Sequence, residues 1–227
     1  MKKFCILGHN TEEVGRSSAG RCRACKRLSE RKPAVTRPST SLPVEKGAFL
    51  TLTFDIENRP LSYWIPDQPT AEITAIAWSF DNPKAIECVL LGRDDPREML
   101  TRFVEAYDRA DMVTGHYITR HDLPIINGAL MEFGLPMLRP KLVLDTKVHM
   151  VKKSDIPATQ EHLANMLSVP AAKVHMTQAD WRESNRLTPA GLALTERRVK
   201  GDVRQHMLLR PAMQAAGLLK SPRTWRS

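Results

Sequence analysis

The chain has 227 residues, 42% hydrophobic and 26% charged, which suffices for one α/β domain with a real core and a small appendage. Its net charge of +9 is uneven: residues 1–46 hold eleven Lys/Arg against four Asp/Glu, so an anionic partner would be met mainly by the N-terminal arm. No apolar run reaches membrane-spanning length and no signal-peptide core follows Lys2 and Lys3, so the expectation is a cytoplasmic protein.

Three of the four cysteines fall in the first 25 residues. Cys5, His9, Cys22 and Cys25 form a C-x3-H-x12-C-x2-C pattern, which supplies three thiolates and one imidazole for a tetrahedral Zn²⁺. The alternative is three free cysteines beside a surface histidine. A segment of about 30 residues buries little core, so metal ligation would supply the folding free energy of a module over residues 1–32. Arg16, Arg21, Arg23, Lys26 and Arg27 surround the ligands and suit sequence-blind contact with backbone phosphates. The stretch resembles the small zinc-ribbon modules attached to phage and bacterial nucleases, through Cys5 with Gly8-His9, Gly15-Arg16, and Gly20 with Cys22 and Cys25. Residues 33–47, with Pro33, Pro38 and Pro43 among Ser and Thr, read as a flexible linker.

The main domain is expected over residues 48–216, with 217–227 as a C-terminal tail. Phe49 to Glu57 reads as a strand ending in Asp55-Ile56-Glu57, and strand alternation sends both acids off one face. Paired carboxylates repel, and a hard divalent cation such as Mg²⁺ or Mn²⁺ would relieve the conflict. The bland alternative is one acid in water and one capping a turn. Tyr63 and Trp64 then either wall a substrate groove or pack on the core. Strands are predicted over 71–80 and 85–91. An amphipathic helix follows over 95–111, where Met99, Leu100, Phe103, Val104 and Tyr107 recur at helical spacing. A short strand over 112–115 precedes a helix running from Asp122 to about Phe133. Asp122 is read either as that helix's N-cap or as a third carboxylate brought against the first strand. Leu142 to Asp145 is a further strand, and Thr159 to Leu167 a helix. A short helix carrying Trp181 begins near Thr177. A final helix opens with Thr188 as cap and Pro189 in the first turn, carries Asp202 and His206, and should bend or end near Pro211. Lys173 and His175 are either backbone contacts for nucleic acid or plain surface residues.

Asp55, Glu57, Asp122 and Asp202, in the contexts D-x-E, G-H-x5-D-L-P and Gly-Asp-Val, resemble the acids of the DEDD (DnaQ-like) 3′–5′ exonucleases of the RNase H-like superfamily, closest to phage-encoded members. The resemblance spans residues 48 to about 216. It implies an α/β fold, an RNase H-like mixed sheet of about five strands flanked by helices. It also implies that the four acids hold two Mg²⁺ or Mn²⁺ ions about 4 Å apart for phosphodiester hydrolysis. The nucleic acid would be DNA or, with the same site, RNA, and the compartment the host cytoplasm if the protein is phage-encoded. The chain departs from the family at its general base. The Tyr or His that stands four or five residues before the last acid is Arg198 or Arg197 here, and arginine is no base at neutral pH. His206 and His121 are the candidate substitutes. A decayed site serving only to bind nucleic acid is the competing reading.

Overall fold

The computed structural model describes residues 10–16, 18, 22–23, 49–60, 71–151, 156–170 and 174–226. The chain divides into two units, Met1–Lys46 and Gly47–Ser227. In the first unit, a one-turn helix α1 (Thr11–Val14) is capped by the Asn10 side chain, which accepts from the Glu12 N–H. Gly15, at φ 71°, turns the chain, and Arg16 then bridges antiparallel to a buried Cys22. The Arg23 side chain donates through Nε to the Arg16 carbonyl at 3.0 Å. Cys5, His9 and Cys25, and with them the predicted zinc site, lie outside the described residues, as do Arg21, Lys26, Arg27, Tyr63, Trp64 and Lys173.

The second unit runs β1 (Thr51–Pro60), β2 (Ala71–Ser79), β3 (Glu87–Leu90), α2 (Pro96–Arg109), β4 (Met112–Gly115), α3 (Asp122–Glu132), β5 (Lys141–Asp145), α4 (Gln160–Met166), α5 (Gln178–Asn185), α6 (Pro189–Ala215) and β6 (Arg223–Trp225). The strands form one mixed sheet in the order β3-β2-β1-β4-β5-β6. β1 pairs antiparallel with β2 and parallel with β4, and β5 continues parallel beside β4.

Alternation along the strands separates the two faces. Leu52, Phe54 and Ile56 of β1 join Ile76 and Trp78 of β2 in the main core, against Phe103 and Tyr107 of α2 and Leu123, Ile126 and Leu130 of α3. The ring centroid of Phe103 lies 5.0 Å from that of Phe54, tilted, and 6.0 Å from that of Trp78, edge-on, contacts worth more than their buried area alone. On the opposite face Ala75, Ala77 and Leu90 meet Val199, Val203 and Met207 of α6. Helices thus cover both sides, and β1 lies near the middle of the sheet.

The starts expected near Asp95, Thr159, Thr177 and Thr188 hold to within a residue, and each of these side chains caps its helix. Asp95 caps α2 through the N–H groups of Arg97 and Glu98, Thr159 caps α4, and Thr177 with Asp180 makes a reciprocal capping box on α5. Thr188 caps α6, with Pro189 in its first turn.

Two expectations are corrected. Residues 217–227 are not simply a tail: Arg223–Trp225 pair antiparallel with Lys141–Val143 and make a sixth strand, because the open edge of β5 has backbone groups to satisfy. Of the two outcomes expected near Pro211, a bend or an end, the end does not occur: the last helix continues to Ala215. Leu209 and Met213, on either side of the proline, bury against Leu163, Ala164 and Leu218, and that burial carries the helix past its missing N–H donor. No described helix is long and apolar enough to cross a membrane.

Candidate metal centre

Asp55 and Glu57 leave β1 on the face that α6 covers, since their neighbours Phe54 and Ile56 take the other. Their cross-strand partners on β2 are Ala77 and Ala75. With only a methyl group on each, these residues leave α6 room to approach the strand. The start of α6 is set by a close contact with α5, where a Cβ on Gly191 would overlap the Glu183 carbonyl. Farther along α6, Gln160 Nε2 donates to the Asp202 carbonyl at 3.0 Å and to Gln205 Oε1 at 3.1 Å, holding that turn of the helix. The consequence is convergence: one oxygen from each of Asp55, Glu57 and Asp202 lies within 4.8 Å of the others. No other such group of His, Cys, Asp or Glu occurs among the described residues.

Asp122 reaches the same strand by another route. β4 accompanies β1 only from Thr51 to Thr53, so the β1 backbone beyond has no strand partner on that side. Asp122 Oδ1 accepts from the Ile56 N–H at 3.2 Å, between the two strand acids in sequence. Its side chain therefore does not cap α3, whose N-cap residue His121 makes no side-chain cap bond. Gly115 makes this approach possible, because a Cβ there would overlap Ile118 and the Phe54 carbonyl oxygen. Asp122 is 3% exposed, and burial raises its pKa, opposed by its bond to His121. His121 Nδ1 lies 3.3 Å from Asp122 Oδ2. Its pKa is raised by that bond, against partial burial, with a further contribution from the Glu57 carboxylate. Asp122 does not fall within the group of three, so two of the predicted ligands lie on β1, one on α6 and the fourth beside them at the strand backbone.

A comparison decides what this framework is. No known protein family profile matches the chain, and no curated protein sequence does. Among matching solved structures, the family B DNA polymerase from the hyperthermophilic archaeon Pyrobaculum calidifontis superposes with a TM-score of 0.55 at 20% identity, over 75% of this chain and 26% of that one. The fold is RNase H-like. At that identity the likeness shows the fold alone, and the chain spans about a quarter of the polymerase's length.

Within this RNase H-like sheet, Arg198 of α6 is part of the acid cluster. Arg198 Nε donates to Glu57 Oε1 at 3.1 Å and lies 3.1 Å from Asp202 Oδ2. Its Nη1 donates to the Val174 carbonyl at 2.6 Å, and the guanidinium stands 5.8 Å from the Trp181 ring centroid. The i, i+4 spacing of Arg198 and Asp202 is the one sequence signal for this pairing, and it says nothing about Glu57.

His206 is corrected as a candidate base. It sits one turn beyond Asp202 but is 2% exposed, with Nε2 3.0 Å from Thr114 Oγ1. The Thr114 hydroxyl donates to the Leu144 carbonyl at 2.7 Å, so Nε2 must be the protonated nitrogen that donates to Thr114. Nδ1 is left as acceptor with no hydrogen-bond partner among the described residues and no access to solvent. Burial, with help from His116 and Arg210, pushes the pKa well below the ordinary value. In the unfolded chain this histidine protonates near pH 6.5, whereas the folded one stays neutral. Stability from His206 is therefore complete above about pH 6.5 and is lost as pH falls from there toward the depressed folded value, at up to about 1.4 kcal/mol per pH unit. His206→Gln, which keeps a donor at the Nε2 position, is expected to flatten that acid limb in denaturant melts between about pH 6.5 and 5. An unchanged slope would place the acid sensitivity elsewhere.

Asp145 is the site's supporting carboxylate rather than a ligand. It is fully buried, and its oxygens accept from the N–H groups of Tyr117, Thr119, Lys147 and Val148 and from the Thr119 hydroxyl, at 2.7–3.0 Å. These bonds hold the loop between β4 and Asp122, in which Tyr117 is kept at φ 73°. Of the other polar candidates, His175 is exposed and pairs with Glu161 at 3.2 Å.

Proposed function

We propose that the chain is a divalent-cation-dependent 3′–5′ exonuclease acting on DNA. The observation that carries the reading is the convergence of Asp55 and Glu57 from a strand with Asp202 from a distant helix, their oxygens within 4.8 Å. An all-carboxylate donor set, partly shielded from water, fits a hard cation such as Mg²⁺ or Mn²⁺. A bound cation would polarise a phosphodiester and ease deprotonation of the attacking water. Asp55, Glu57 and Asp202 would hold the first ion, and Asp122 would contribute to a second. His121, half exposed and held through Nδ1 by Asp122, replaces His206 as the side chain placed to exchange a proton with solvent. Arg16, Arg21, Arg23, Lys26 and Arg27, around a structural Zn²⁺ on Cys5, His9, Cys22 and Cys25, would hold backbone phosphates and make affinity fall with salt. Likeness to a DNA polymerase supports DNA as the first substrate to test, with RNA as the alternative.

A second reading has its own observation. Arg198 lodged against Glu57 and Asp202 suits a nucleic-acid-binding module whose hydrolytic site has decayed. End-labelled single-stranded and duplex DNA and RNA, incubated with the protein with and without Mg²⁺ or Mn²⁺, separate the two. Shortening from the 3′ end only when the cation is present supports the exonuclease. Binding without cleavage of any substrate leaves the adaptor.

A further inference from the structure

The geometry points to Arg198 as a built-in counter-cation that competes with the divalent ion for Glu57 and Asp202. The inference rests on the reading of the three acids as a cation site and adds what regulates its occupancy. Glu57 and Asp202 have side chains only 13% and 7% exposed, so water does little to screen their mutual repulsion. One guanidinium nitrogen, 3.1 Å from an oxygen of each, supplies the missing positive charge. A divalent ion binds carboxylate oxygens at about 2.1 Å. It would draw on the same two carboxylates that Arg198 now faces through Glu57 Oε1 and Asp202 Oδ2, and would meet a like charge within a few ångström of it. Arg198 keeps two partners that owe nothing to the acids, the Val174 carbonyl at 2.6 Å and the face of Trp181. The guanidinium can therefore give up the carboxylates without being stranded. Cation affinity is then set by a contest between a metal ion and a side chain of the same protein. The bare site is stable and weakly binding rather than strained and avid.

Mn²⁺ titration of the full-length protein by calorimetry, with melting temperature followed in parallel, tests this without any substrate. Arg198→Met is expected to bind Mn²⁺ about tenfold or more tightly than the wild type. Its melting temperature should be lower in chelator and should rise further on adding Mn²⁺. Arg198→Gln, which removes the charge but keeps a hydrogen-bond donor, should show the same gain in affinity if the Met variant folds poorly. Asp202→Asn is the control that should lose the binding. Equal or weaker Mn²⁺ affinity in both Arg198 variants, with binding still lost in Asp202→Asn, overturns the competition while leaving the cation site standing. Absence of Mn²⁺ binding in every protein overturns both the competition and the metal-dependent nuclease reading.

Discussion

Asp202→Asn is expected to lower cation-dependent hydrolysis by about 10³-fold or more, a barrier increase of about 4 kcal/mol, while the protein stays folded. Asparagine keeps the size of the side chain but removes the charge that α6 brings to the two acids of β1. The Asp202 backbone carbonyl retains its bond from Gln160, and Arg198 retains Glu57, so the local fold has its other supports. The measurement is kcat/KM on an end-labelled strand in Mg²⁺, beside a thermal melt. Near wild-type degradation by a folded Asp202→Asn protein would remove α6 from the chemistry. The two strand acids alone would not rescue the proposal, because a D-x-E pair on a strand is common without a metal.

Asp145→Asn should be the most destabilising conservative change near the site, by about 3 kcal/mol or more. The carboxylate has two acceptor oxygens and uses both: Oδ1 takes three backbone N–H groups, and Oδ2 takes the N–H and hydroxyl of Thr119. An amide group places an N–H against at least one of those donors, in a position with no water to take it up. Tyr117, whose left-handed backbone costs an aromatic residue roughly 1 kcal/mol or more, loses the bond that holds it there. Because this loop carries Asp122 to the Ile56 N–H, cation-dependent activity should fall along with stability. Urea denaturation reads the first effect. A midpoint within error of wild type would show that the loop is held by its packing and not by this carboxylate.

Much of the framework is legible along the chain. Alternation in β1 predicts that Asp55 and Glu57 share a face opposite Phe54 and Ile56, and they do. The starts of α2, α4, α5 and α6 fall within a residue of those expected, with Thr188 named in advance as a cap, because a cap is satisfied by backbone N–H groups two or three positions away. The sixth strand was not legible. Three residues are too few to show a period, and their reason for being extended is the edge of β5, far away in sequence.

The site divides in the same way. For Asp122 the sequence left two roles open, since a residue at a helix start can cap it or turn outward; the gap in the β1–β4 pairing is what gives its carboxylate the Ile56 N–H. For His206, helical spacing placed it on the side of Asp202 but could not tell which groups filled the space beyond. Thr114 and the core claim it. For Arg198 the family resemblance implied only that the usual base is absent, while the fold sets its guanidinium against Glu57 and Asp202.

From the sequence alone came the elements and their buried faces, since periodicity, capping and turn chemistry are settled by near neighbours, and the set of four acids came from the family resemblance. Only the tertiary structure decided which three acids meet, which histidine is sealed in the core, and that Arg198 stands among the carboxylates. Those outcomes depend on charges and surfaces brought together from distant segments, where burial strengthens every pairing and no local pattern records the partner.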